Sequence, residues 1–475
     1  MTGRARPSIP RTVPATAPVA VVASLLALVV AATLALGGPG PAPRAVADDT
    51  AVAAAARTTP NPVTPGGFTG LGFDQCLAPE QWKMDRWLQS SPFLAVGIYI
   101  SGKSRGCREQ PNLTPTWIRT QLAKGWRLLP ITLGPQASCL RSFPRYGDDP
   151  TINPKPGRNG GYSLARTQGR TEADTTVRDA LALGLTKGST LFYDLEGFDH
   201  KNTDCRESAL SFLSAWTQRL HALGWRSGVY SSAGSGILAL DEARRKRPGT
   251  FVLPDTLWIA RWDGVANTST TYIPDDGWRR NRIKQYRGGH KERWGQVTIN
   301  IDSNYLDVGN GSVAAPETHC GGVKVDLPSY GWLSVPRTGY RAPRDQVRAL
   351  QCFLRERKLY AGQLNGNYNP RVVTAVRAWQ KRTGQPQRSG WTRKNWMTLL
   401  ATGTKPVLKV GSYGAPVRRL QRTLNAADPA ARLTVSGVVT SATVAAVRRW
   451  QQANRLEVSG VVGADDWPQL AKGNR

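Results

Sequence analysis

Four carboxylates stand where short apolar runs give way to polar residues: Asp74, Asp194, Glu196 and Asp302. The tightest pair closes the stretch LFYDLEGFD, residues 191–199. Residues two apart on a strand share a face, with Cα atoms roughly 7 Å apart, so Asp194 and Glu196 point the same way. Inward is the expected side, because Tyr193 and Leu195 are then left to face an outer layer. Like charges held this close raise one another's pKa, so one member can keep its proton near neutrality and donate it. Cleavage of a glycosidic bond needs such an acid and a second carboxylate as nucleophile, base or orienting group. Trp262, Tyr230 and Tyr286 offer flat faces for sugar rings. Gln285, at the end of its own apolar run, joins them as a candidate substrate-binding residue.

Eight strand-like runs carry these residues: 70–76, 94–101, 126–134, 189–197, 226–232, 256–262, 282–288 and 297–308. Between the early runs, stretches with apolar residues at three-four spacing read as helices. TPTWIRTQLAKG has a Thr cap, a first-turn Pro and a closing Gly. Strands and helices in alternation over about 240 residues predict an α/β fold, a (β/α)8 TIM-like barrel, with polar strand ends converging on one face. A doubly wound open sheet is the alternative, weakened because no Gly-rich phosphate loop follows a strand. The last two crossovers hold little helix, so irregularity is expected there.

The chain of 475 residues has 63 Lys and Arg against 33 Asp and Glu, a formal charge of +30. An anionic partner is implied. Arg4, Arg6 and Arg11, an uncharged run over 19–36 and Ala45-Val46-Ala47 form the three parts of a secretory signal over residues 1–47. The apolar run is long enough that an uncleaved membrane anchor is the other reading. Export makes nucleic acid an unexpected partner and leaves anionic wall polymers. The Pro/Ala/Thr-rich segment 48–69 reads as a flexible tether ahead of a barrel over 70–310. No Cys or His pair has metal-ligand spacing; neither a metal nor another cofactor is expected.

Beyond a second linker, 311–339, the chain repeats itself. VRALQCFL (347–354) parallels VRRLQRTL (417–424) at an offset of 70, and AVRAWQ (375–380) parallels AVRRWQ (446–451) at 71. Two small three-helix modules are expected, over 340–403 and 404–475. Residues 337–475 hold 25 Lys and Arg against 6 Asp and Glu, so much of the excess charge lies on this tail.

The stretches GFDQC, GIYISGKSRGC, YDLEGFD, GWRSGVYSS, LWIARW, QYRG and IDSNYLD, in this order, resemble a family of bacterial glycoside-hydrolase-like domains related to the family 25 lysozymes. The resemblance implies a modified barrel in which Glu196 protonates the leaving oxygen. Asp194 would orient the substrate or stabilise the transition state, with Asp74 and Asp302 as supporting acids. The tail repeats resemble peptidoglycan-binding modules. Together these imply a monomeric, exported, muramidase-like hydrolase of cell-wall glycan. The alternative is a wall-binding protein that kept the groove without turnover.

Six cysteines in an exported chain are expected to form disulfides, with fifteen pairings open. Cys76, Cys107, Cys139 and Cys205 each follow one of the first four strands. Pairing Cys107 with Cys139 is favoured because their strands are neighbours, which leaves Cys320 and Cys352 to tie the second linker to the first repeat.

Overall fold

The computed structural model describes residues 60–140 and 149–475. The signal segment and most of the tether lie outside the described residues, as does part of the loop after the third strand. The eight strands are β1 (Phe68–Asp74), β2 (Ala95–Ser101), β3 (Arg127–Thr132), β4 (Thr190–Asp194), β5 (Arg226–Ser232), β6 (Thr256–Ala260), β7 (Asn281–Trp294) and β8 (Val297–Val308). They close in sequence order into a barrel. Among the described residues five α-helices lie between them: α1 (Gln81–Ser90), α2 (Pro115–Ala123), α3 (Ser163–Ala182), α4 (Thr203–Ala222) and α5 (Leu238–Lys246). The start of α2 is fixed as its sequence requires: Thr114 accepts from the Trp117 amide and Pro115 occupies the first turn.

The barrel departs from eight parallel strands at its end. β7 and β8 form a hairpin across Gly295 and Gln296, both at positive φ, which suits a tight two-residue turn. β8 therefore runs antiparallel to both β7 and β1. Asp302 is consequently not at the C-terminal end of its strand. It reaches the site mid-strand, directly opposite Asp74. No helix joins β6 to β7, in keeping with the expected irregularity.

Two apolar layers follow from strand alternation. Inside the barrel, Phe68, Ala95, Leu129, Ile131, Phe192, Trp258, Ile283 and Leu306 are buried together. Outside, Tyr193 packs its ring on Phe212 and Trp216 of α4, at 4.9 and 5.0 Å between centroids. Leu195 is buried in the same outer layer. Residues 60–69 do not behave as tether. Phe68 and Thr69 belong to β1, and Thr64 is buried, its hydroxyl donating to the Leu128 carbonyl at 2.8 Å while its amide meets Ser189.

The C-terminal part is six helices: α6 (Arg344–Glu356), α7 (Pro370–Arg382), α8 (Arg393–Leu400), α9 (Ala415–Ala427), α10 (Ser441–Ala453) and α11 (Asp466–Lys472). They form two three-helix repeats around one continuous core, with Trp396 and Trp467 fully buried. The Gln of each LQ pair is a turn clamp. Gln351 accepts the Gly366 amide and Gln421 the Gly437 amide, both at 2.9 Å. The segment expected as a linker, 311–339, is bound into this core instead. Val325, Leu327, Tyr330 and Leu333 are buried there, and Arg422 holds Glu317 and Asp326 at 2.7 and 2.6 Å.

The second repeat is docked on the end of the barrel where β1 and β2 begin. Lys409 is buried and donates to the carbonyls of Trp87 and Phe93 at 3.2 and 3.1 Å. Ser312 donates to the Gly411 carbonyl at 2.7 Å, close to the start of β1. The strand ends that carry the carboxylates lie at the opposite end.

Cys320 bonds Cys352 as expected. The other pairing is different: Cys76 joins Cys107 and Cys139 joins Cys205. Each loop above a barrel has a neighbour on both sides, so strand adjacency alone does not select the partner. Here the loop after β1 is tied to that after β2, and the loop after β3 to the start of α4.

Candidate active site

Asp74 ends β1, and its environment is built by neutral amides. Asn304 on β8 donates to Asp74 Oδ1 at 2.6 Å. Gln285 on β7 donates to both its oxygens at 3.2 Å and to Asp302 Oδ2 at 3.4 Å. The orientation of both amides is fixed by tryptophans, whose indole N–H can only donate. Trp258 donates to Asn304 Oδ1 at 2.7 Å and Trp262 to Gln285 Oε1 at 2.8 Å. Tyr230 also donates to Gln285 Oε1, at 3.0 Å. Gly97 makes room for this cluster, since a Cβ there would lie 2.6 Å from that of Asp74.

These amide donors favour a charged Asp74, but burial and the facing Asp302 outweigh them and raise its carboxyl to about 7. Asp302 is also raised, by burial first, with the Gly289 amide and His290 opposing. The carboxyl that keeps its proton near neutrality is thus Asp74, within the pair it forms with Asp302.

The carboxylates of β4 are set differently. Asp194 is buried and accepts from the Tyr99 hydroxyl at 3.1 Å. The phenols of Tyr99 and Tyr230 are pushed well above their ordinary range, by burial first and then by the surrounding carboxylates. Both therefore remain donors. Just past the strand, Gln136 spans the chain reversal: it donates to the Asp194 carbonyl at 2.8 Å and accepts the Glu196 amide at 2.9 Å. Glu196 is thereby held at the wall of a cavity of about 200 Å³, with Asp74, Tyr99, Leu133, Asp302 and the Cys76–Cys107 bridge.

The structure thus brings Asp74, Asp194, Glu196 and Asp302 together: all four act electrostatically on Tyr230. Gln285 is 2% exposed and holds other site residues in place, so it does not offer a surface to substrate. Trp262 is 67% exposed. Its ring lies against the backbone of Gly288, where a Cβ would come within 2.4 Å, and its edge is tied to Gln285. Tyr286 is not brought in. It falls at the irregularity after Gln285, where the hairpin leaves the barrel, and its hydroxyl bonds Ser303. Tyr99, Gln136 and Asn304 were not among the expected residues. Tyr99 had a signal, as the large member closing the inward row Ala95, Gly97, Tyr99. Among the described residues one group has metal-binding proximity, Cys320, Cys352 and Glu356, and its two sulfurs are joined to each other.

Residues 85–306 match the model of the Rv2525c-like, glycoside hydrolase-like domain, and residues 343–389 and 413–470 match that of a putative peptidoglycan binding domain. No curated protein matches the chain. Solved structures with a similar part include an uncharacterized B. stearothermophilus protein, at 18% identity over 50% of this chain and 95% of that one, with a TM-score of 0.30. The Mycobacterium tuberculosis Tat-secreted protein Rv2525c, in complex with HEPES, matches at 13% identity over the same shares, also with a TM-score of 0.30. The modular autolysin LytC from Streptococcus pneumoniae matches at 10% identity and a TM-score of 0.31, over 50% of this chain and 46% of LytC. The chain thus carries, in a closed eight-stranded barrel, a region that matches the Rv2525c-like, glycoside hydrolase-like domain, followed by two that match a putative peptidoglycan binding domain.

Proposed function

We propose that the barrel hydrolyses a glycosidic bond in the glycan strands of peptidoglycan, beside N-acetylmuramic acid. The observation that carries this reading is Glu196 at the wall of an acid-lined cavity, on a chain with two putative peptidoglycan-binding domains. Glu196 donates its proton to the leaving oxygen. Asp194, held by Tyr99, orients the substrate or stabilises the positive charge that develops on the sugar ring. Asp74 and Asp302 share a proton behind them and limit the negative charge of the cleft. Trp262 presents its exposed face to a sugar ring.

The protein acts outside the cytoplasm as a monomer, after export through the segment at residues 1–47. Its positive tail adds a salt-sensitive attraction to anionic wall polymers. Incubation with purified peptidoglycan, counting new reducing ends and identifying the terminal sugar by mass spectrometry, tests the proposal. Ends that form with the native chain and vanish in Glu196→Gln are expected. Binding without new ends in either protein would replace the hydrolase with a wall-binding barrel.

A further inference from the structure

The two repeats differ at one groove, between the end of the first helix and the second helix. In the first repeat Arg357 fills it. The guanidinium lies 5.5 Å from the centre of the Trp379 ring and donates to the carbonyls of Leu399 and Phe353 at 2.6 and 3.2 Å. By the offsets of 70 and 71 residues, Arg357 corresponds to Ala427, Trp379 to Trp450, and Ala378 to Arg449. The plug is therefore missing in the second repeat, and a cation stands on α10 where the first repeat has a methyl group.

The result is a cavity of about 130 Å³ with Leu424, Ala427, Ala446 and Trp450 on its floor and Arg449 and Arg475 at its rim. Asp428, also at the rim, lies 3.8 Å from Arg449, whose side chain is 55% exposed. A dry cavity of about 150 Å³ holds a benzene ring, so this one suits a small aliphatic group. Arg449 and Arg475 put two guanidinium groups at this rim, and Arg pairs with carboxylates in a two-bond fork.

We propose that the second repeat alone is the ligand-binding one, and that it takes a peptide end with a small aliphatic residue and a free carboxylate. The methyl group enters the apolar floor and the carboxylate meets Arg449 and Arg475. This rests on the wall-binding reading only for its biological source, the peptide stems of peptidoglycan.

The test is calorimetric titration of the full chain with N-acetyl-alanyl-alanine, its C-terminal amide and N-acetyl-glycyl-glycine. One site per chain is expected, with affinity for the amide and the glycine peptide each weaker by roughly tenfold or more. Ala427→Arg, which transplants the first repeat's own plug, abolishes binding, and Arg449→Ala weakens it by a similar tenfold. Arg357→Ala leaves the titration unchanged. Equal binding of acid and amide, or full binding by a folded Ala427→Arg chain, overturns the proposal. Arg449 is an exposed surface position, so its variant decides the matter if Ala427→Arg does not fold. Cosedimentation with intact peptidoglycan, run alongside, separates the two ideas: a wild-type chain that sediments yet ignores the dipeptide refutes this site and leaves wall binding standing.

Discussion

Replacing Asp74 by Asn should change how the stability of the chain depends on pH. The carboxyl titrates at about 7 in the folded protein against an ordinary 3.8. Between those values the folded state holds a proton that the unfolded state has released, so stability falls as pH rises through the window. At about 1.4 kcal/mol per pH unit of separation, the native chain forfeits about 4 kcal/mol between pH 4 and pH 8. Asn has no such titration. It keeps an acceptor for Asn304 and places an N–H toward Asp302, where the shared proton would lie. Glu172 is also raised to about 7, by burial first, and is present in both proteins, so it cancels in their difference. Denaturant unfolding followed by tryptophan fluorescence, at unit steps from pH 4 to 8, should show the variant gaining about 4 kcal/mol on the native chain. A difference that stays flat across the range would refute the shared proton and the assignment of Asp74 as its holder.

Gln285→Leu removes the amide donor that, with Asn304, holds the Asp74 pKa down, so that carboxyl should titrate above its native value of about 7 in carbon-detected NMR; an unmoved titration would count against the amide hub. Replacing Cys139 and Cys205 together by Ser opens a 66-residue loop and should cost about 4 kcal/mol, measured by denaturant unfolding without reductant. Burial holds the Lys409 amine well below its ordinary range. Above that lowered value the unfolded chain binds the extra proton, so this lysine makes stability rise with pH toward 10; Lys409→Met should lose that rise, and an identical slope in both chains would exclude a desolvated amine.

Much of the barrel was legible because its strands are short apolar runs, punctuated by helices that end in Gly. The reversal of β8 was not, for a physical reason. The arms of the hairpin beyond Gln285 leave the barrel, so Lys291, Glu292 and Arg293 meet solvent and read as loop. The carboxylates stood out because polar residues at the strand ends of a barrel converge on one face. Gln136 and Asn304 did not, because a neutral amide acquires its role only from partners 58 to 230 residues away. Gln285 stood out as polar at a strand end, yet its burial makes it a support for others rather than a contact for sugar. The segment 311–339, expected as a linker, carries Val325, Leu327, Tyr330 and Leu333, whose apolar side chains bury it against the repeats.

That burial bears on how such a chain would address a polymer. A flexible linker would let barrel and repeats explore many separations, with an effective concentration set by its length. Here the second repeat is fixed to the end of the barrel by Lys409, by Ser312 on Gly411, and by Arg127 against the Tyr413 ring. The segment between them is locked by the Cys320–Cys352 bridge and by Arg422 on Glu317 and Asp326. The distance from the acidic cavity to the repeats is then a property of the fold. A rigid separation favours those stretches of a repeating polymer whose spacing matches it. The docking also leaves the far end of the barrel, with Glu196 and Trp262, uncovered by the second repeat.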